Sequence, residues 1–107
     1  MRRGEIWWAD LPAPAGRRPV LLLSRDEAYA VRSLVTVAPI TGRVRGIPVE
    51  VPLGAADGMP RDCAINLDSI VTIAKAHLKR RIAPLSPDKL VAAEQALRFA
   101  LALDAPR

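Results

Sequence analysis

The sequence predicts a mainly β chain with helices, an α+β protein built as a small antiparallel barrel or strongly bent sheet with one helix packed outside. Three observations carry this. Short apolar, β-branched runs recur along the chain, each closed by proline or glycine within a few residues. Only the C-terminal segment has the spacing of a long amphipathic helix. The 107 residues, half of them apolar, suffice for one core and leave no room for a second, so residues 1–107 read as a single domain.

The elements follow in order. Gly4 to Leu11 (GEIWWADL) is apolar and aromatic at its centre and reads as the first strand. The stretch LPAPAG, Leu11 to Gly16, holds two prolines and a glycine and reads as a loop. Pro19 to Ser24 is a continuous apolar run with proline only at its start, which a central strand permits. Asp26 to Arg32 suits a short helix, with Asp26 or Ser24 near its cap. Leu34 to Thr41 (LVTVAPIT) is β-branched and gives a third strand, and GRVRG, Gly42 to Gly46, a basic turn. Ile47 to Leu53 alternates weakly and gives a fourth strand, and Gly54 to Asp62 a loop. Cys63 to Ala74 supplies one or two strands with a kink, and Lys75 to Ile82 a short basic helical turn or an extended link.

The terminal helix is the clearest element. Ser86 is its N-cap candidate, Pro87 suits the first helical position, and Asp88 complements the positive helix end. Leu90, Ala93, Leu97, Ala100 and Leu101 share one face, and Ala92, Ala96, Phe99 and Leu103 form a second apolar stripe. Glu94 and Arg98 are spaced to pair. Two apolar stripes suit a helix that covers its own core and also touches a second subunit, so a homodimer is expected; a broad core-facing helix in a monomer is the structural alternative.

The net charge is +5, with arginine far outnumbering lysine among the 16 basic residues. Guanidinium groups grip phosphate in planar, bidentate fashion, so this balance favours an anionic partner such as nucleic acid or an acidic protein tail. A bias of genome composition towards arginine would give the same balance. Cys63 is the one cysteine, so no internal disulfide forms, and its apolar neighbours suit a buried, inert thiol. The N-terminus does not read as a signal peptide, and no apolar run approaches the roughly 20 residues that span a bilayer. A cytoplasmic protein with no membrane role is expected.

Several chemistries have no foothold. There is no GxxxxGK phosphate loop and no GxSxG elbow. Cys63 and His77 are too few soft ligands for a zinc site, so no metal or cofactor is expected. What stands out instead is Gly16-Arg17-Arg18-Pro19-Val20-Leu21-Leu22-Leu23-Ser24, with two guanidinium groups at the mouth of a buried strand. The neighbouring strand ends in the hydroxyl of Thr41. Arginines and a threonine on adjoining strand ends make a phosphate site, which suits RNA cleavage by the RNA's own 2′-hydroxyl, or plain RNA binding. Arg18 serves to stabilise the transition state, a guanidinium being a poor base, and Thr41 donates a hydrogen bond to the same phosphate. A surface salt bridge at Arg18 and a turn hydroxyl at Thr41 are the structural alternatives.

RRGEIWWADL, GRRPVLLLS, VAPIT and AINLDSI, in this order and spacing, resemble the MazF/PemK-like family of toxin endoribonucleases over nearly the whole chain. GRRPVLLLS is similar to the family's G-x-R-P-V-x-V-x-S signature. The resemblance implies a small SH3-like barrel, a homodimer and an acidic MazE-like antitoxin. It also implies metal-independent, sequence-specific cleavage of single-stranded RNA, leaving a 2′,3′-cyclic phosphate and a 5′-hydroxyl. Arg18 falls on the family's catalytic arginine and Thr41 on its catalytic threonine. Asn66 stands where the family often has an RNA-contacting glutamine, with Asp68 and Ser69 bordering the groove beside it. Ser24 closes the signature and is grouped with the RNA-binding residues, as are Arg17, Arg43 and Arg45, which suit phosphate tracking from loops. Trp8 lies in the first-strand motif as a core aromatic or as part of the site or interface. One departure is the loop PAPAG, which is shorter than in many members and lacks their G-S-E-Q glutamate. Two other functions fit a barrel of this kind: a gyrase-binding toxin resembling CcdB, and a non-catalytic RNA-binding barrel.

Overall fold

The computed structural model describes residues 1–106. Seven strands form one antiparallel sheet: β1 (Glu5–Asp10), β2 (Arg17–Leu22), β3 (Leu34–Thr41), β4 (Glu50–Leu53), β5 (Cys63–Asn66), β6 (Val71–Ala74) and β7 (Leu78–Pro84). Helix α1 (Ala28–Val31) is a single turn, and α2 (Pro87–Ala100) closes the chain. The strands run in the order β4-β5-β3-β2-β1-β7, and β6 also pairs with β3.

β3 is the hinge of this arrangement. Val35 and Thr36 in its first half pair with Ile73 and Thr72 of β6, and Ile40 and Thr41 in its second half pair with Ile65 and Ala64 of β5. Between β5 and β6 a 3₁₀ turn, Leu67–Ser69, supplies the kink that divides Cys63 to Ala74 into two strands. The bend gives the sheet two buried faces. One holds the larger core, where Ile6, Leu21, Ile40, Ile65 and Leu67 meet Ala93 and Ala96 of α2. The other gathers Val20, Leu22, Val35, Val37 and Leu78 beneath Tyr29 of α1. Alternate residues of β2 thus serve opposite cores, as the two-residue period of a strand requires.

Several elements differ from the sequence expectation. The fourth strand begins only at Glu50, because Ile47 to Val49 form a turn in which the Glu50 amide bonds to the Ile47 carbonyl at 2.9 Å. Of the basic segment after Ala74, Lys75–His77 is a 3₁₀ turn and the rest is strand β7, paired along β1. The register of that pairing shifts between Ile6 and Trp7 and again between Trp8 and Ala9, the mark of bulges that bend the sheet edge. Neither Asp26 nor Ser24 caps α1, which has no side-chain cap: the Asp26 carboxylate accepts the Arg3 amide at 2.7 Å and the Ser24 hydroxyl accepts the Thr36 amide at 2.8 Å.

Helix α2 starts as its sequence predicts, with the Ser86 hydroxyl accepting the Lys89 amide at 3.3 Å and Pro87 at the first position. Glu94 and Arg98 do not pair with each other. Glu94 binds Arg3 at 2.8 Å and Arg98 binds Asp104 at 3.1 Å. Tertiary geometry wins here because an exposed i,i+4 pair contributes only tenths of a kcal/mol. The two stripes also divide differently: Ala92 and Ala96 join Leu90, Ala93 and Leu97 at the core, while Phe99, Leu101 and Leu103 are exposed.

Candidate nucleic-acid interface and active site

β2 and β3 together place Arg18 and Thr41. Val20 stands opposite Pro39 and Leu21 opposite Ala38, so continuing that register by two residues sets Arg18 against Thr41. Thr41 is the last residue of β3 and pairs with Ala64 of β5. One further step back along the β3–β5 register sets Asn66 against Pro39. Three strand ends therefore meet at one point of the surface.

Their side chains line one cleft of about 330 Å³, bounded by Leu11, Pro12 and Ala15 on one side and by Asn66, Ser69 and Val71 on the other. Arg18 and Thr41 both face it. The short PAPAG loop builds its near wall. The Leu11 amide bonds to the Gly16 carbonyl at 3.0 Å, and the Ala15 amide to the Pro12 carbonyl at 3.1 Å. The Ala15 carbonyl then accepts the Arg18 Nε–H at 3.2 Å. That bond aims the guanidinium through its inner nitrogen and leaves both terminal NH₂ groups for an anion. Among the described residues no ion pair includes Arg18. A half-buried guanidinium with a backbone anchor and no carboxylate is a preorganised anion receptor.

Thr41 is arranged in a complementary way. Its hydroxyl oxygen accepts the Arg43 amide at 3.1 Å, which leaves the O–H to donate into the cleft. The Asn66 carbonyl oxygen accepts the Asp68 amide at 2.9 Å, leaving the carboxamide NH₂ as a second donor. Beside this cleft lies a hollow of about 300 Å³ lined by Thr41, Arg43, Arg45 and Asn66. Its outer loop hangs on Glu50, whose carboxylate accepts the backbone amides of Arg45 at 2.8 Å and Gly46 at 3.1 Å and the Arg45 Nε–H at 3.2 Å. Burial pushes the Glu50 carboxyl up, but these bonds from Arg45 and Gly46 outweigh it and hold the group below its ordinary range.

Of the residues that the sequence singled out, Arg18, Thr41, Asn66 and Ser69 share the cleft, and Arg43 and Arg45 adjoin it. Three lie elsewhere. Ser24 is beyond the far end of β2, roughly 20 Å along the strand direction from Arg18, and its hydroxyl is committed to the Thr36 amide. Asp68 is exposed on the turn after β5 and lines neither hollow. Arg17 faces the opposite side of β2, where its guanidinium sits 5.6 Å from the centre of the Trp8 ring. The sequence assigns no role to the loop wall Leu11–Pro12–Ala15 or to Arg80 and Arg61, which strand pairing and the loop before β5 respectively bring near Arg17. Among the described residues no three His, Cys, Asp or Glu side chains gather as metal ligands. Cys63 is buried, and burial raises its thiol above the ordinary range.

Known proteins share this architecture. The family described as PemK-like, MazF-like toxin of type II toxin–antitoxin system matches residues 2–101. A Mycobacterium tuberculosis protein named probable endoribonuclease MazF2 is 42% identical over 99 residues, covering 92% of this chain and 95% of that one. Endoribonuclease MazF9 of the same organism is 35% identical, covering 96% and 98%. Among solved structures, Mycobacterium tuberculosis toxin MazF-mt6 superposes with a TM-score of 0.85 at 35% identity, covering 92% of this chain and 96% of that one. An endoribonuclease in complex with its cognate antitoxin, from a mycobacterial species, superposes with a TM-score of 0.87 at 27% identity, covering 99% of both chains. No helix among the described residues is long and apolar enough to cross a membrane.

Proposed function

The chain belongs to the PemK-like, MazF-like toxin family of type II toxin–antitoxin systems, and from that membership we propose that it is an endoribonuclease toxin which cuts single-stranded RNA in the Arg18–Thr41 cleft. The observation that carries the site assignment is the convergence of an anchored, carboxylate-free guanidinium and a donor hydroxyl on one hollow. The relatives' names, all endoribonucleases, favour cutting over gyrase binding. The pairing of a carboxylate-free guanidinium with a donor hydroxyl in one cleft supports cutting over RNA binding alone.

The chemistry follows from the cleft's inventory. The RNA's 2′-hydroxyl attacks the adjacent phosphorus, the bond to the 5′-oxygen breaks, and the products are a 2′,3′-cyclic phosphate and a 5′-hydroxyl. The 2′-oxygen loses a proton and the 5′-oxygen gains one. Meanwhile negative charge builds on the non-bridging oxygens. Arg18 spans two of those oxygens with its terminal NH₂ groups, and the Thr41 hydroxyl donates to one of them. Asn66 and Ser69 hold the flanking nucleotide, and Arg43 and Arg45 receive phosphates further along the strand. The reaction needs no metal, and it runs in the cytoplasm. A second copy of the chain completes the toxin, and an acidic antitoxin silences it by covering the basic clefts.

The test is cleavage of a long mixed RNA in EDTA, with the cut ends mapped. Wild type cuts it, and Arg18→Ala lowers kcat by about 10²–10³-fold, the usual cost of removing one fixed oxyanion donor. Circular dichroism of Arg18→Ala matches wild type because its side chain supports only a loop carbonyl. An Arg18→Ala protein that cuts at the wild-type rate refutes the site, and intact RNA beside trapped gyrase–DNA complexes refutes the activity.

A further inference from the structure

Arg18 stands between two clefts. Besides the one it shares with Thr41, it borders a larger one of about 460 Å³ that opens on the other face of the sheet. Arg17, Pro19 and Leu21 alternate onto that face, and Leu21 belongs to the larger core. The second cleft is therefore the open mouth of the core itself. Its floor is apolar, formed by Ile40, Cys63 and Ile82. One wall carries the Trp8 ring, with the Arg17 guanidinium 5.6 Å from its centre. Arg80 reaches the rim because β7 pairs it with Trp8, and Arg61 reaches it from the loop before β5. No ion pair among the described residues includes Arg61 or Arg80.

An apolar slot with an aromatic wall and a cationic rim fits a ligand that is flat and apolar on its faces and anionic at its attachment. A nucleotide has that form. Unstacked RNA bases are recognised by stacking on aromatic rings and guanidinium planes. An acidic peptide would satisfy the rim but leave the apolar floor unfilled. Because the slot begins at Arg18, its occupant must neighbour the phosphate that Arg18 holds.

We infer that this second cleft holds the base of a nucleotide adjoining the scissile phosphate, stacked on Trp8. The inference rests on the RNA-cutting reading above and assigns it a base-binding subsite. The base replaces Arg17 on the ring face, and that guanidinium moves to the next phosphate. Arg61 and Arg80 hold the edges of the slot.

The experiment uses the full chain and a short RNA whose cut position has been mapped. A single abasic nucleotide is placed in turn on each side of the cut bond. One position is expected to lower kcat/KM by about tenfold or more, chiefly through KM, as loss of a stacked base does. Trp8→Ala loses a similar factor on the intact RNA and nothing further on that abasic RNA. Trp8 pairs on both edges of β1 and its loss can disturb the sheet, so Arg80→Gln, at an exposed position, supplies the second reading. Its defect on intact RNA shrinks on the abasic RNA. If wild type cuts, Arg18→Ala does not, and no abasic position costs more than about twofold, the cleft holds no base and the inference falls while the activity stands. If wild type cuts no RNA, the activity itself falls. If Arg80→Gln cuts RNA normally but changes the mass in light scattering or resists an acidic antitoxin, the cleft belongs to a protein and the inference is overturned.

Discussion

Glu50 shapes the loop beside the proposed site through its own hydrogen bonds. Its carboxylate is buried in the β4 end, and it collects three hydrogen bonds from Arg45 and Gly46, fixing the loop that carries Arg43. A buried charge is tolerated only when so many donors face it. Glu50→Gln keeps the shape but removes the charge from those bonds and sets an NH₂ against donors, so a loss of about 2 kcal/mol in urea unfolding is expected. The same logic fixes a pH dependence. Hydrogen bonding holds the folded-state pKa below the unfolded one, so the stabilisation is complete above about 4.3, the ordinary glutamate value, and is lost as pH falls through the lower folded value. Wild type therefore loses stability on acidification through that window more steeply than Glu50→Gln; parallel curves refute the assignment. At this scale the sequence is legible where chemistry is rare and opaque where it is common. A guanidinium pair at a strand mouth and a threonine at a strand end single out Arg18 and Thr41, which the fold brings to one cleft. Glu50 carries no mark, because only the fold buries it. Ser24 has the right residue type and motif, but six residues of strand carry it away from Arg18, and a backbone amide takes its hydroxyl.

The elements are held together where strands meet the terminal helix. Gly4 sits at φ +89°, and a Cβ built on it would lie 3.2 Å from Leu90 Cδ2 of α2. Its amide bonds to the Leu22 carbonyl at 2.9 Å and its carbonyl accepts the Leu85 amide at 2.8 Å, so it ties the starts of β1 and α2 to the end of β2. Gly4→Ala therefore adds left-handed strain and a crowded contact at once, about 1–3 kcal/mol of destabilisation. A lowered unfolding midpoint of roughly 4–8 °C per kcal/mol is the expected reading, and a midpoint unchanged from wild type would show that the helix yields freely. This junction also explains which elements the sequence reveals. Helix α2 is legible because local chemistry specifies it: a serine cap, a proline at the first turn and an apolar spacing of 3.6. Strand β7 is not, because Lys79, Arg80 and Arg81 break any alternation. Its strand character comes from pairing with β1, and the Arg81 Nε–H bond to Glu5 at 2.8 Å secures it. Burial raises the Glu5 carboxyl, but the bonds from Arg81, Trp7 and Arg2 prevail and hold it below its ordinary range.

Over the whole molecule, the net charge is +5, and several of the arginines without an ion pair gather around the clefts that meet at Arg18. The carboxylates elsewhere are partly spent: Glu5, Glu94 and Asp104 each hold a cation away from that surface, and Glu50 ties Arg45 at its margin. Arg17, Arg18, Arg43, Arg61 and Arg80 form no ion pair among the described residues, and all of them border one cleft or its neighbour. Net charge and arginine content, visible in the sequence, indicate an anionic partner, but only the bent sheet sorts the arginines into those that are paired and those that are free. A polyanion laid across the free ones releases counterions, so its binding must weaken with salt in proportion to the phosphates engaged. An RNA with a 2′-deoxy nucleotide at the cut bond lacks the nucleophile and stays intact, so its affinity can be measured directly. With about four phosphates engaged, log K plotted against log salt should fall with a slope of about −3. Arg43→Gln should weaken binding to RNAs of any sequence and reduce that slope by about 1. A slope near zero would mean that the free arginines serve another partner, and that the charge of this surface is not what draws RNA to the cleft.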